Sequence, residues 1–384
     1  MRSYFDHNAT TPPAPEVVEA VVRALRDDFG NPSSVHHFGQ RAKAQLDEAR
    51  SSVAELIGAE PGDIVFTSGG TEADNMALRG AAEAAEAAGS RRHVIASAIE
   101  HEAVLNTVKA LTRRGWTSTL LPVDASGIVK PAALASAITP QTALVSVMHA
   151  NNEIGTIQPI ADLAAIAHEH GAVFHTDAVQ SAAKIPLDVA GLGLDLLSLS
   201  AHKFNGPKGA GALWIRRGTR IVSTMTGGKH ERNRRGGTEN VPGIAGLGVA
   251  ARLARAKLKG DAVRIAALRD RLEQGVLARV SGTAVNGDVS ARVPNTTNIS
   301  FDGVEAESLL IALDLEGFAV STGSACSSGT LEPSHVLRAM GLPAHRTQNS
   351  IRFSLGLGNT EPQIDALLER LPAVVSKLRT LVRR

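Results

Sequence analysis

Residues 195–211 read DLLSLSAHKFNGPKGAG and place two lysines directly after an apolar run. The run Leu196–Leu199 is short and apolar, as buried strands are, and the glycines and proline that follow it are typical of a turn. Lys203 therefore lies just beyond the carboxyl end of a predicted strand. Lys208, which precedes a Gly-Ala-Gly segment, is predicted on the turn itself.

Similar apolar runs recur through the first two thirds of the chain and alternate with longer segments rich in Ala, Leu, Glu and Arg. This alternation predicts an α/β fold with a mostly parallel sheet between helices. Ligands of such sheets bind at the carboxyl ends of the strands, where Lys203 lies. The predicted strands are 64–67, 93–97, 142–148, 173–176, 196–199 and 212–215, and the clearest helices are 72–88, 102–114 and 160–170.

The pattern changes after a long Ala-, Arg- and Leu-rich helical region near 244–280. Short predicted strands now mix with helices, which favours a smaller α+β domain. We expect strands at 295–301 and 351–354 and helices at 305–316 and 361–380. We place the boundary near residue 255, with a large domain at 12–255 and a small domain formed by 1–11 and 256–384.

Composition argues against several classes of protein. The chain has 384 residues, 43% hydrophobic and 20% charged, and a formal net charge of only +2, so no strong field favours nucleic acid or an acidic membrane. The basic segment 229–235 has no aromatic residues beside it for base stacking, and we interpret it as a subunit contact near a phosphate. The first residues lack the features of a signal or transit peptide, and no apolar run reaches about 18 residues, so we expect a cytoplasmic protein and no membrane partner.

The stretch IVFTSGGTEADNMALRG at residues 64–80 predicts a phosphate site. A strand ends at Thr67, two glycines form a turn, and Thr71 opens a helix whose free N–H groups can bind an anion. The motif lacks both the dinucleotide fingerprint and the Walker pattern, so a nucleotide is not the favoured ligand. A plain strand-to-helix loop is the alternative.

A second stretch, VFHTDAVQS at residues 173–181, places Asp177 at the end of a strand and Gln180 on the first turn of a predicted helix. An acid there can pair with a protonated ring nitrogen, although helix capping is the common alternative. A partly desolvated Lys203 can form a Schiff base with an aldehyde. Phosphate site, ring acid and lysine are the three features that pyridoxal 5′-phosphate requires, whereas solvated loop lysines are the competing interpretation.

Eight ordered motifs now carry a family resemblance from residue 4 to about residue 380. The chain resembles the class V aminotransferase-fold cysteine desulfurases, the NifS/IscS-like group. The resemblance implies the fold type I of pyridoxal-phosphate-dependent transferases, with a seven-stranded, mostly parallel sheet in the large domain. The motifs are FDHNATTP, GNPSSVHHFG, TSGGTEADN, ANNEIGT, HTDAVQ, SAHKFNGPKGAG, RRGGTEN and STGSACSSGTLEPSHVLRAMG.

The resemblance implies that Lys203 binds the pyridoxal phosphate aldehyde and that Asp177 keeps its ring nitrogen protonated. His101 would stack on the ring. The phosphate would be held by Gly70, Thr71, Ser200, His202 and, in a homodimer, Thr238 of the partner subunit.

The resemblance also implies a substrate site for L-cysteine. Asn152 and Gln180 would hydrogen-bond the cofactor's phenolic oxygen and the nearby carboxylate region. Arg352 would bind the substrate carboxylate as a bidentate fork, with Asn8 lining the cleft. No resident metal is implied.

Cys326 is the single cysteine, so no intrachain disulfide can form. A lone cysteine is most often a buried apolar residue, but Cys326 lies in a segment of small residues typical of an exposed loop, about 321–335. The resemblance implies a nucleophile that takes sulfur from L-cysteine as a persulfide and leaves L-alanine, with Lys203 moving the α-proton. His101 is a candidate base for the thiol proton.

The loop length is similar to that of NifS and IscS rather than SufS, which implies delivery of sulfur to an iron–sulfur scaffold protein and, as a second class of acceptor, to tRNA-thiolation enzymes. Two enzyme alternatives keep the cofactor: a selenocysteine lyase and a small-amino-acid aminotransferase, the latter without need of Cys326. A non-catalytic sulfur carrier is disfavoured because Lys203, Asp177 and Arg352 are all present.

Overall fold

The computed structural model describes residues 2–89, 91–323 and 333–382. Its strands are β1 Ser3–Tyr4, β2 Ile64–Thr67, β3 His93–Ser97, β4 Thr117–Leu121, β5 Thr142–Ser146, β6 Val173–Asp177, β7 Leu196–Ser200, β8 Gly211–Ile215, β9 Thr283–Asn286, β10 Thr296–Phe301, β11 Phe318–Ala319 and β12 Ser350–Ser354. Its helices are α1 Pro15–Arg26, α2 His37–Ile57, α3 Gly70–Ala87, α4 Glu102–Thr112, α5 Pro131–Ala137, α6 Ile160–Glu169, α7 Val241–Arg279, α8 Ala306–Leu315, α9 His335–Ala339, α10 Ala344–Gln348 and α11 Glu361–Val382.

The predicted α/β fold with a mostly parallel sheet is confirmed. Within the described ranges the main sheet has seven strands in the order β2-β8-β7-β6-β5-β3-β4, and β8 runs antiparallel to both of its neighbours. The six predicted strands of this sheet are present. The pattern of apolar runs does not predict β4, because this edge strand begins with Thr-Ser-Thr, has only two apolar residues and is largely exposed.

Apolar side chains cover both faces of the main sheet because consecutive strand residues point to opposite sides. Leu196 and Val94 pack with α3 and α4 on one face, whereas Leu197 and Ile95 pack with α2, α6 and the first part of α7 on the other. Burial on both faces explains why the parallel strands are almost continuously apolar.

A second core lies around the antiparallel sheet β12-β10-β9 and helices α8 and α11. The later part of α7, from Ile265 to Val276, contributes to this core, while Val241 to Ala251 contributes to the first. The predicted boundary near residue 255 falls between these two parts of one helix, and the domain limits remain a prediction. Phe5 also packs in the second core.

One local expectation is corrected. The segment directly after Asp177 is not a regular helix. Ala182 N donates to Ala178 O at 2.8 Å, and the turn ends at Ala183, whose φ is 63°. A left-handed residue cannot continue a right-handed helix, and Pro186 follows shortly after. Residues 178–185 are therefore a series of turns.

None of the described helices combines the length and apolar character required to span a bilayer.

Candidate active site

A cavity of about 390 Å³ lies at the carboxyl edge of the main sheet. Of the thirteen predicted site residues it brings eleven together, and their individual roles remain predictions. The eleven are Asn8, Gly70, Thr71, His101, Asn152, Asp177, Gln180, Ser200, His202, Lys203 and Arg352.

Lys203 ends a single 3-10 turn, Ala201–Lys203, that directly follows β7. Its amine donates to the backbone oxygens of Asn8 at 2.7 Å and Ala9 at 3.0 Å. Burial, together with the nearby cation Arg352, lowers the pKa of Lys203 to about 8, against the opposing effect of Asp177 and Asp6. A useful fraction of this amine is therefore unprotonated at mildly alkaline pH.

Asp177 is the last residue of β6, and its Oδ1 accepts a hydrogen bond from Val179 N at 2.8 Å. Burial raises the pKa of Asp177, while His101 and Lys203 oppose that rise. Asp74 and Glu100 are also buried nearby, and burial raises the pKa of each well above its usual range, with Asp177 raising both further. The carboxyl edge thus concentrates buried carboxyl groups that favour a cationic ligand.

The start of α3 has the features of an anion site. Gly69, the residue before the helix, has φ 152°, and no described side chain caps the helix start. A Cβ on Gly70 would lie 2.8 Å from Val179 Cγ2 and 3.6 Å from Ser200 Cβ, so a glycine is needed for this close approach. The first N–H groups of α3 therefore remain available beside Thr71 and Ser200.

His202 lies beside this helix start, and its Nδ1 is 3.1 Å from Thr10 Oγ1. Burial and the charges of Lys203 and Lys208 lower the pKa of His202 to about 4. The ring is therefore neutral at physiological pH and can act as a hydrogen-bond donor.

Arg352 and Asn8 line the same cavity. Arg352 lies on β12 and is 3% exposed; its Nη1 donates to Asn152 O at 2.9 Å and its Nη2 to Asp6 Oδ1 at 2.6 Å. Its Nε has no hydrogen-bond partner among the described residues. One N–H of Nη1 and one N–H of Nη2 are thus already engaged, and each of these nitrogens keeps a second N–H for a ligand.

His101 is the N-cap residue of α4, and its Nδ1 accepts a hydrogen bond from Ala103 N at 3.1 Å. In the neutral ring the proton consequently resides on Nε2. His101 can act as a base through Nδ1 only by releasing Ala103.

Two predicted residues are not in this cavity. Thr238 lines a separate cavity of about 180 Å³, near Ser68 and Arg235. Cys326 and most of the predicted loop lie outside the described residues.

A family model for class V aminotransferases matches residues 3–367. The chain belongs to this family. The cysteine desulfurase IscS of Dictyoglomus turgidum is 50% identical over 378 residues, which cover 98% of this chain and 95% of that protein. Among solved structures, a NifS-like protein has a TM-score of 0.92 at 38% identity, with 98% of this chain and 100% of that chain covered. SspA in complex with cysteine has a TM-score of 0.81 at 35% identity, covering 92% and 99% of the two chains.

The structure of this class V chain adds site residues that the sequence motifs did not single out. Asp74 lies one helical turn beyond Gly70 on α3, and Lys184 lies four residues after Gln180. Helical spacing within the motif TSGGTEADN could have indicated Asp74. The contact of Lys184 with Asn8 could not be read from local spacing, because Asn8 is 176 residues away.

Proposed function

We propose that the protein is a pyridoxal-phosphate-dependent cysteine desulfurase. It converts L-cysteine to L-alanine and transfers the sulfur to Cys326 as a persulfide. The observation that carries the proposal is the meeting of Lys203, Asp177 and the uncapped start of α3 around one cavity of about 390 Å³. The likeness to cysteine desulfurases supports the choice of reaction.

The residues around the cavity fit pyridoxal phosphate in charge and shape. The start of α3, with Gly70, Thr71, Ser200 and His202, would hold the phosphate, and Asp177 would pair with the ring nitrogen. Burial makes the Asp177 carboxylate costly without a cation, and a protonated ring nitrogen is such a partner. When bound, the cofactor would supply an electron sink that acidifies the substrate α-carbon and weakens the bond between the substrate β-carbon and sulfur.

The chain's own residues orient the substrate and move its protons. Arg352 would bind the substrate carboxylate through the second N–H groups of Nη1 and Nη2, close to Asn8 and Asn152. Lys203 would take the α-proton in its unprotonated form and return a proton to the substrate later. Its lowered pKa of about 8 makes both forms accessible near neutral pH.

Sulfur transfer is a displacement at the substrate sulfur. The Cys326 thiolate attacks that sulfur, a sulfur–sulfur bond forms, and the bond from sulfur to the substrate β-carbon breaks. The electron pair of that bond stays with the carbon skeleton, which takes up a proton and leaves as alanine. The persulfide would then pass to an iron–sulfur scaffold protein or to a tRNA-thiolation enzyme.

A homodimer is part of the proposal. Thr238 lies away from its own chain's cavity, as expected of a residue that would reach the phosphate of a partner subunit. The cytoplasmic location remains a prediction from the sequence.

The decisive experiment quantifies sulfide and alanine together, under anaerobic conditions, from L-cysteine, a thiol reductant and purified protein. We expect equal amounts of both products from a yellow protein. Cys326→Ala should stay yellow and release no sulfide, with Cys326→Ser as a variant of nearly native size.

The same assay separates the alternatives. A yellow protein that yields neither product but accepts selenocysteine or a small amino acid with release of a keto acid would replace the desulfurase proposal. Sulfide release by Cys326→Ala at the wild-type rate would overturn the assignment of the nucleophile.

A further inference from the structure

Lys184 makes polar contacts behind the active-site cavity that the proposed function does not use. Its amine donates to Gln180 Oε1 at 2.7 Å and to Asn8 Oδ1 at 2.9 Å. Both acceptors are uncharged amide oxygens, and both belong to residues that line the cavity. Lys184 therefore contacts two predicted ligand-binding side chains at once.

These hydrogen bonds favour one orientation of each amide, with its oxygen toward Lys184. A carboxamide whose oxygen is held by an amine must direct its NH₂ group elsewhere. Gln180 Nε2 donates to Asn8 O at 2.9 Å, and Asn8 Nδ2 donates to Asn152 O at 3.0 Å and to Thr296 Oγ1 at 2.8 Å. A flipped Gln180 would lose its bond to Asn8 O and turn its NH₂ toward the Lys184 amine, so Asn8 O and Lys184 together favour the observed orientation.

The same network reaches Lys203. The backbone oxygen of Asn8 accepts both from Gln180 Nε2 and from Lys203 Nζ, the latter at 2.7 Å. Lys184 and Asn295 Nδ2, the latter at 3.0 Å, both donate to Asn8 Oδ1, and Lys203 is anchored on the backbone of the same residue. A change at Lys184 should thus be felt at Lys203 without direct contact.

The backbone before Lys184 is unusual. Ala183 has φ 63°, a conformation that costs energy in any residue with a Cβ and that persists where surrounding contacts hold it. Lys184 N donates to Ser181 O at 3.0 Å, which closes the turn. The turn directs the Lys184 stem along a second cavity of about 430 Å³, lined there by Ala183 and Asn295.

The charge environment agrees with a role as hydrogen-bond donor. Burial, together with the nearby cations Lys203 and Arg352, lowers the pKa of Lys184 well below its usual range. The amine has N–H groups for both Gln180 and Asn8 in either protonation state.

We propose that Lys184 is a positioning residue that fixes the Gln180 and Asn8 amides, so that Gln180 offers N–H donors to the cofactor and Asn8 anchors Lys203. The inference rests on the proposed function for the identity of that ligand, whose phenolic oxygen Gln180 would meet. An N–H donor stabilises the deprotonated oxygen, so the donor orientation should be visible in the cofactor's titration.

The first test uses crystals of the cofactor-free protein, which do not depend on the reaction. In Lys184→Met, which removes the donors but keeps the stem, we expect Gln180 to rotate away from its position and Asn8 to shift. Lys257→Met is the matched control, because Lys257 is exposed and lines the second cavity. Unmoved amides in Lys184→Met would overturn the proposal, whether or not the protein binds pyridoxal phosphate.

The second test follows the visible absorbance of protein loaded with pyridoxal phosphate as a function of pH. Loss of one hydrogen bond to the phenolic oxygen should raise the midpoint of the absorbance change by about 0.5–1 pH unit in Lys184→Met. Lys184→Arg, which restores a donor, should return the midpoint toward the wild-type value, and Lys257→Met should leave it unchanged. An unchanged midpoint in Lys184→Met would overturn the role.

Gln180→Glu tests the same link if Lys184→Met does not fold. The new carboxylate can accept from Lys184 but cannot donate to the phenolic oxygen, so the midpoint should also rise. A wild-type protein that stays colourless with added pyridoxal phosphate would instead refute the proposed function, and the crystals alone would then decide the role of Lys184.

Discussion

Buried carboxylates at the two ends of the strands in the main sheet differ in their hydrogen-bond and charge partners. These ends are the amino edge and the carboxyl edge of the sheet. Asp195, at the amino end of β7, and Asp177, at the carboxyl end of β6, are 8% and 5% exposed. Asp195 accepts from Phe174 N at 2.8 Å and pairs with His168 and Arg216. The Asp177 carboxylate accepts only from Val179 N among the described groups, and burial raises the pKa of Asp177.

This difference shows which buried carboxyl groups the protein neutralises with its own basic side chains. At the amino edge a buried charge is neutralised by the protein itself, so it contributes to the fold. At the carboxyl edge Asp74, Glu100 and Asp177 form no salt bridge with any described lysine or arginine, and burial favours their uncharged acids unless a cationic ligand binds. Strongly shifted pKa values of this kind cluster at functional sites.

The largest effect should come from the comparison of Lys203, which lines the cavity, with the exposed Lys208. Lys203→Ala should lower the rate of alanine formation by about 10²–10⁴-fold, because it removes the group proposed to move the α-proton. Lys208→Ala removes an exposed lysine five residues further on and should leave the rate within about 2-fold. The measurement is steady-state alanine production. Equal losses in the two variants would mean that burial at the carboxyl edge does not distinguish the functional lysine.

The pair Asp177→Asn and Asp195→Asn tests the comparison directly. Asp177→Asn should reduce turnover by about 10²–10³-fold, since it removes the charge proposed to face the cofactor ring. The same change should raise the free energy of unfolding of the cofactor-free protein by about 1 kcal/mol, because a buried like-charge cluster loses a member.

Asp195→Asn should do the reverse. It weakens contacts to His168, Arg216 and Phe174 N and should cost about 1–3 kcal/mol, with turnover nearly unchanged. Denaturant unfolding and the alanine assay measure both properties on each variant. A stability loss in Asp177→Asn as large as that in Asp195→Asn would remove the distinction between the edges.

The pH dependence of stability sharpens the comparison at His175, which lies on β6 between Ser146 and Ser198 at 2.9 and 3.0 Å. Burial lowers the pKa of His175 from 6.5 to about 3. Between these values the unfolded chain takes up a proton that the folded chain does not, so the free energy of unfolding falls as pH decreases. The loss from this one residue should be about 1.4 kcal/mol per pH unit.

The buried carboxyl groups have the opposite sign, because a raised pKa favours the folded state at low pH. The contribution of His175 is therefore obtained from the difference between wild type and His175→Gln, in cofactor-free protein between pH 4 and 6. A variant with the same pH slope as wild type would mean that His175 takes up its proton without unfolding.

The sequence predicts the parts of this site that depend on local pattern. Asp177 and Lys203 follow from the ends of apolar strands, and Gly70 from a strand, a glycine turn and a helix. The network around Asn8 could not be predicted in this way. Asn8 N donates to Ser354 Oγ, 346 residues away, and only the folded chain brings the two together.

The resemblance names several of these residues but not their contacts. It implies a bidentate fork at Arg352 for the substrate carboxylate but not that Nη2 pairs with Asp6 and Nη1 donates to Asn152 O. It also does not indicate the turn at Ala183, because a positive φ at alanine has no composition signal.

The smallest predicted effect concerns the glycine at the start of α3. In Gly70→Ala the new Cβ would lie 2.8 Å from Val179 Cγ2, so the helix start must shift away from the predicted phosphate site. We expect a loss of about 1 kcal/mol in the free energy of unfolding and about a 10-fold weaker affinity for pyridoxal phosphate.

Gly260→Ala in α7 is the matched control, because no atom lies within 4 Å of its Cβ position. It should stabilise the protein by about 0.5–1 kcal/mol and leave the affinity unchanged. Denaturant unfolding and a titration with pyridoxal phosphate measure the two quantities. If Gly70→Ala bound the cofactor as tightly as Gly260→Ala, the N–H groups of α3 would not be the phosphate site, and the carboxyl edge would retain only its lysine and its carboxylates as ligand-binding features.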